Sequence, residues 1–187
     1  MPEAPYSANL SSALAYLKIG KRDQARESLN RALSQVPEDD KTGDNLVYLR
    51  ILFHLGSLAI SEGDYTSAAN YIEEGLSLKE IHADLLCMRL LVLVHRGAYN
   101  AMFPDVLKYL TACIAEDSGI YDYRFANQDI IDSVINEMLP IAYANSTDRE
   151  AYMAAVKRFV DNTGSPLFVR AHEIMKSIDE SKSVNGQ

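Results

Sequence analysis

Apolar and polar positions along this chain recur with a helical period, and no stretch between glycine and proline punctuation sustains the two-residue alternation of a strand. Stripes at i, i+3, i+4 and i+7 predict helix over most of the length. In three places such a stripe closes on a glycine, at Gly20, Gly63 and Gly97. Gly63 and Gly97 stand 34 residues apart, whereas Gly20 and Gly63 stand 43 apart. The longer interval is the shorter one with an insertion of 9 residues, which falls at the loop-like PEDDKTGDN and also lengthens the helix that follows.

A shift of 43 brings the small residues of the first segment onto those of the second. Ala13 meets Gly56, Gly20 meets Gly63, Ala25 meets Ala68 and Ala32 meets Gly75, while Leu29 falls on Ile72 and Leu33 on Leu76. Two antiparallel helices approach to about 8 Å only where the side chains at their crossing are small. Ala13 with Ala25, and Gly56 with Ala68, are therefore expected to be helix crossings. Gly20 and Gly63 are expected at the turns, where a positive φ is needed.

At these residues the chain resembles the tetratricopeptide repeat family. The second segment carries Leu55, Gly56, Gly63, Asp64, Tyr65, Ala68, Gly75 and Leu76; the first carries Ala13, Tyr16, Gly20, Ala25, Ala32, Leu33 and a closing Pro37. A third segment keeps Gly97 and Tyr99 but departs elsewhere. Met102 stands where alanine is expected, Tyr109 replaces a small residue, and Pro104 starts the second helix late. The resemblance covers residues 7–80, and a degenerate unit carries it to about 116. It implies an all-α fold, a right-handed superhelix of antiparallel helix hairpins with C-terminal capping helices.

The organisation that follows is a flexible N-terminus (1–6), repeats (7–116), a connector (117–127), C-terminal helices packing on the repeats (128–180) and a disordered polar tail (181–187). Gly119 is expected to end the helix before the connector, and Tyr121, Tyr123 and Phe125 either to anchor it on the core or to form a recognition patch. The next helix presents Ile130, Ile131, Val134, Ile135, Met138 and Leu139 on one stripe, and Pro140 should kink or end it. TDRE (147–150) reads as a capping box for a helix with Tyr152, Ala155, Val156, Phe159 and Val160 inward. Ser165 and Pro166 read as the start of the last helix, whose stripe runs through Leu167, Phe168, Ala171, Ile174, Met175 and Ile178. That stripe either caps the array or meets another subunit.

Composition narrows the function classes. A net charge of −8 and the lack of a basic face beyond Lys18, Lys21 and Arg22 argue against nucleic acid as a partner. No apolar run is long enough for a membrane span. MPEAPYSANL lacks the basic-then-apolar order of a secretory signal, so a cytoplasmic chain with reduced Cys87 and Cys113 is expected. The four histidines, His54, His82, His95 and His172, show no metal-ligand spacing and read as surface or half-buried helix residues. In HADLLC, His82 and Asp84 point to different sides of a helix and cannot share one metal. No phosphate loop or nucleophile elbow is present. The expectation is a non-enzymatic chain with no cofactor, the remote alternative being an enzyme whose site is assembled from dispersed residues.

The resemblance also implies where binding occurs. In the family, the first helices of successive units line a concave groove. Its positions fall here on Leu10, Leu14 and Leu17, on Arg50, Phe53, Ser57 and Ile60, and on Cys87, Leu91 and Val94. Members that grip acidic chaperone tails line this groove with lysine, arginine and asparagine, whereas this chain offers only Arg50. The expected ligand is an apolar or amphipathic segment of a protein or peptide, with self-association as the alternative use of the same surface and C-terminal helices filling the groove as the bland one. Small acidic three-repeat proteins also resemble specialised secretion chaperones of bacteria.

Overall fold

The computed structural model describes residues 4–115 and 123–185. The chain divides into two compact units, Met1–Glu80 and Ile81–Gln187.

The first unit is two helical hairpins: α1 (Pro5–Lys18) with α2 (Arg22–Ser34), and α3 (Leu46–Ser61) with α4 (Tyr65–Leu78). α1 packs on α2, α3 on α4, and α2 on α3. Ala13, Ala25 and Ala68 are wholly buried, and Gly56 and Gly75 are buried with them, as the small-residue register requires. Leu10, Leu29, Ile51, Leu52, Leu55 and Leu58 fill the core between these helices.

Both turns are built alike. Gly20 (φ 75°) and Gly63 (φ 79°) adopt the left-handed conformation. The next amide then reaches five residues back, Lys21 N–H to the Tyr16 carbonyl at 2.9 Å and Asp64 N–H to the Ala59 carbonyl at 2.9 Å.

The insertion forms a short 3₁₀ turn, Glu38–Asp40. It is stitched to its surroundings at several points. The Tyr6 hydroxyl donates to Asp40 Oδ2 at 3.0 Å, and Asn45 Nδ2 donates to the Asp40 carbonyl at 2.8 Å. Asn45 Oδ1 accepts from the Val47 and Tyr48 amides, which caps α3. Gly43 lies so close to the Leu78 carbonyl that a Cβ would collide with it. α3 has 16 residues against 14 in α1, the lengthening expected after the insertion.

The second unit starts with a third hairpin, α5 (Ala83–His95) and α6 (Phe103–Ile114), joined through a 3₁₀ turn at Tyr99–Ala101. Gly97 (φ 65°) and the bond from Ala98 N–H to the Leu93 carbonyl, 3.0 Å, repeat the turn of the first unit. Then come α7 (Gln128–Ser133), a π-helical turn (Val134–Met138), α8 (Leu139–Ala144), α9 (Arg149–Thr163) and α10 (Pro166–Asn185). α6 packs on α8, and α10 packs on both α8 and α9. The sequence pattern groups α5 and α6 with the repeats; compactness groups them with the C-terminal helices.

Several local expectations change. The distortion expected at Pro140 takes the form of the π turn before it: the proline nitrogen cannot donate back along the helix, and the ladder widens there. The TDRE capping box does not form. α9 starts one residue later than a Thr147 cap requires, Asp148 makes no side-chain cap bond, and Thr147 Oγ1 turns instead to Asp148 Oδ2 at 3.4 Å. Ser165 precedes α10 but its buried hydroxyl has no hydrogen-bond partner among the described residues, so the first turn is closed by backbone, Val169 N–H to the Ser165 carbonyl at 3.0 Å. The tail read as disordered is helical as far as Asn185. Gly119 and Tyr121 lie outside the described residues.

Candidate protein-binding surface

The candidate positions divide by burial. In the first unit Leu10 and Phe53 are 5% and 4% exposed, with Leu10 a member of the core cluster and the Phe53 ring set edge-on to His54 at 4.9 Å. Leu14 and Leu17 are half-buried and pack against that cluster from outside. Ser57 and Ile60 are half-buried on α3, and Arg50 is exposed near its start. In the second unit Cys87 is 4% exposed, Val94 is half-buried and Leu91 is 37% exposed.

Leu14, Leu17, Ser57, Ile60 and Val94 are thus partly exposed and Arg50 and Leu91 exposed, whereas Leu10, Phe53 and Cys87 are buried. α3 and α5 are apolar nearly all the way round, with ten consecutive-turn residues of α3 between Tyr48 and Ala59 buried. Helices of that kind are interior elements. This is why their inward positions are covered while α1 stays half open.

The residues that suggested chemistry have packing roles. His82 caps α5, its Nδ1 accepting from the Leu85 amide at 3.4 Å, and its ring meets Tyr123 edge-on at 5.0 Å. His54 and His82 are both buried, which corrects their reading as surface or half-buried residues. Asp84 is buried and accepts from the Phe125 amide at 2.7 Å and the Arg124 amide at 3.2 Å. The Tyr109 hydroxyl donates to the Phe125 carbonyl at 2.5 Å. The segment before α7 is thus held by its backbone as well as by the Tyr123 ring.

Cys87 and Cys113 are free thiols. Burial pushes Cys87 up to about 12, with the charges of Asp84 and Cys113 adding to it, and pushes Cys113 up to about 11. Neither has the thiolate character of a nucleophile near neutral pH. Among the described residues no group of three His, Cys, Asp or Glu could hold a metal ion. No described helix is long and apolar enough to cross a membrane.

What remains is a scaffold of helical hairpins with partly open apolar stripes. Residues 6–39 and 49–82 match the tetratricopeptide repeat family model. Those two segments are similar to tetratricopeptide repeats. Each match covers one hairpin of the first unit, and the α5–α6 hairpin lies outside both, in keeping with the bulk of Met102 and Tyr109, each wholly buried where the family has small residues. Tetratricopeptide repeats are generally protein–protein interaction modules and typically not enzymes. No curated protein and no solved structure matches the chain.

The sequence pattern located the stripes through the repeat register. It did not separate Leu14 and Ile60 from Leu10 and Phe53, because all four are apolar and burial depends on neighbours distant in sequence. It also missed Asp84 and Tyr109, whose partners are backbone groups 16 to 41 residues away and leave no spacing to read.

Proposed function

We propose that this protein is a non-enzymatic adaptor, assembly factor or chaperone that holds an apolar or amphipathic segment of a partner protein, in the cytoplasm, on the open part of the α1 and α3 stripes. The supporting observation is that Leu14 and Leu17 lie on the core rather than within it, on a repeat type that generally binds proteins. Ile60 and Ser57 extend the stripe on α3, and Arg50 adds one cation that an acidic flank of the partner would meet. Leu91 and Val94 give α5 a shorter stripe of the same character.

Leu14→Asp combined with Ile60→Asp tests this. Partners recovered with the tagged wild-type chain, quantified by mass spectrometry, should fall at least about tenfold with the double variant, since burying unpaired charge against an apolar segment costs over 1.4 kcal/mol. Helical circular dichroism should stay unchanged. Equal recovery by both proteins would sink the assignment, and so would loss of helix, which would make these positions core.

A further inference from the structure

α1 and α3, the helices that carry the longer partner-binding stripes, hold no carboxylate. Eleven acidic side chains lie between Asp23 and Glu80, and every one falls on α2, on α4, in the insertion or in a connection. At the chain's average of 26 acids in 187 residues, the 14 residues of α1 and 16 of α3 would carry about four between them. Burial accounts for the lack on α3, which is covered nearly all round, but not on α1. α1 exposes Ala8, Ser11, Ser12 and Ala15, and the one charged side chain it exposes is Lys18.

Each helix carries a single lysine or arginine, Lys18 on α1 and Arg50 on α3, both exposed. Lys18 stands one turn beyond Leu14, and Arg50 two turns before Ser57, so each cation continues the stripe of its own helix. Neither makes an ion pair among the described residues, whereas Arg26, Arg31 and Lys41 of the same unit each hold a glutamate. The acids nearest in sequence lie off the stripes. Asp23 is in the first turn of α2, Asp44 precedes the α3 cap, and Glu62, past the end of α3, is held by Arg26. α1 packs on α3 as well as on α2. In the repeat register Lys18 falls on Ser61, eleven residues beyond Arg50, and Leu14, Leu17, Ser57 and Ile60 fall between the two. Eleven residues of helix span about 16 Å.

We infer that the segment held on the α1 and α3 stripes is an apolar stretch of another protein bracketed by carboxylates, one meeting Arg50 and the other Lys18. Two cations so far apart do not grip one carboxylate; they fit two, with aliphatic side chains on Leu14, Leu17 and Ile60 between them. About three turns of helix, or about five extended residues, separate the two acids of such a segment. Exposed ion pairs are weak individually, so the apolar contact supplies most of the affinity and the charges select among apolar segments. The lack of acid on both helices serves the same selection, because no carboxylate on them repels the ligand's own. This inference rests on the reading of α1 and α3 as the binding surface and adds the charge of what binds there.

Fluorescence anisotropy of the full chain with two synthetic peptides tests it. Each peptide is a three-turn helix with leucines on one face, bracketed by glutamates in one and by lysines in the other. In low salt the glutamate peptide should bind about tenfold tighter, and high salt should shrink the difference. Lys18→Gln with Arg50→Gln should erase the preference, and Lys18→Glu with Arg50→Glu should reverse it, with helical circular dichroism unchanged in both because the side chains are exposed. Leu14→Asp with Ile60→Asp should abolish binding of either peptide. Equal affinity of the wild type for both peptides, lost in the Leu14→Asp, Ile60→Asp variant, overturns the charge assignment and leaves the apolar surface standing. A glutamate preference that survives the reversal overturns the roles of Lys18 and Arg50. Binding of neither peptide, or binding that survives Leu14→Asp with Ile60→Asp, overturns the surface itself and this inference with it.

Discussion

All three hairpins close through a left-handed glycine and an amide that reaches five residues back, yet the first two and the third are held by different means. In α1–α4 the helices meet at Ala13, Ala25, Gly56 and Ala68, and stability comes from close approach over small side chains. In the α5–α6 hairpin the wholly buried Met102, Phe103 and Tyr109 bring bulk instead, and a polar clamp joins the two helices. Arg89 of α5 grips Asp105 of α6 with two hydrogen bonds, Nε to Oδ2 at 2.6 Å and Nη2 to Oδ1. A repeat that loses its small residues can still be a hairpin, provided directional contacts replace shape. The replacement has a consequence: overpacking damages the first unit, whereas loss of a single polar partner damages the second.

The largest effect should come from Asp105→Ala. Asp105 is buried and its Arg89 partner is largely so, at 20% side-chain exposure. Removing one member of such a pair leaves the other charge uncompensated, which costs about 3 kcal/mol or more. Segment-resolved hydrogen exchange should show protection lost across α5 and α6 and retained in α1–α4. Equal loss in both units would show that the clamp does not act on the second unit alone. Ala68→Phe is the converse experiment and should be milder. Forcing a ring into the α3–α4 crossing costs about 1–3 kcal/mol by overpacking and should lower protection first in those helices. An unchanged melting temperature would remove the small-residue crossing as an explanation.

The same contrast decides what could be read from the sequence. The first unit was legible because its determinants are local and periodic: a glycine at each turn, an alanine at each crossing, and a second copy of both 43 residues on. The insertion was visible as a break in that period, though its anchors at Tyr6 and Leu78 were not. The second unit yielded its helices but not their bonds. Phe103 stacks on Tyr152 at 4.4 Å and Phe159 on Phe168 at 4.6 Å, pairings between helices that no single stripe encodes. TDRE shows the reverse error: it satisfies a local rule, yet α9 starts at Arg149 and the capping box does not form. Of the candidate surface, the repeat register gave the stripes, and tertiary packing decided which members stay exposed.

The smallest expected effect concerns two carboxylates whose pKa values are lowered for different reasons. Asp64 in the first unit is stabilised mainly by hydrogen bonds from Ser67, whose amide donates to Oδ1 at 3.0 Å, so its depression belongs to the α4 cap itself. Asp132 in the second unit is held low first by Arg170, whose Nη1 lies 2.5 Å from Oδ1, and then by Gln128. Its depression therefore reports the docking of α10 on α7. A carboxyl lowered in the folded state adds stability that is full above its unfolded pKa of about 3.9 and fades as pH falls through the folded value. Both groups are solvent-exposed enough that screening keeps the contribution small. Arg170 also keeps its bond to Asn136 Oδ1, 2.7 Å, when Asp132 is protonated, so α10 should loosen rather than leave. Urea midpoints of wild type and Asp132→Asn should differ slightly at pH 7 and converge as the pH drops below 4. Arg170→Gln should shrink that convergence while leaving the corresponding Asp64→Asn comparison intact, because Arg170 lowers Asp132 and has no part in the Asp64 shift. A wild-type advantage over Asp132→Asn that ignores pH would show that the carboxylate charge has no part in holding α10.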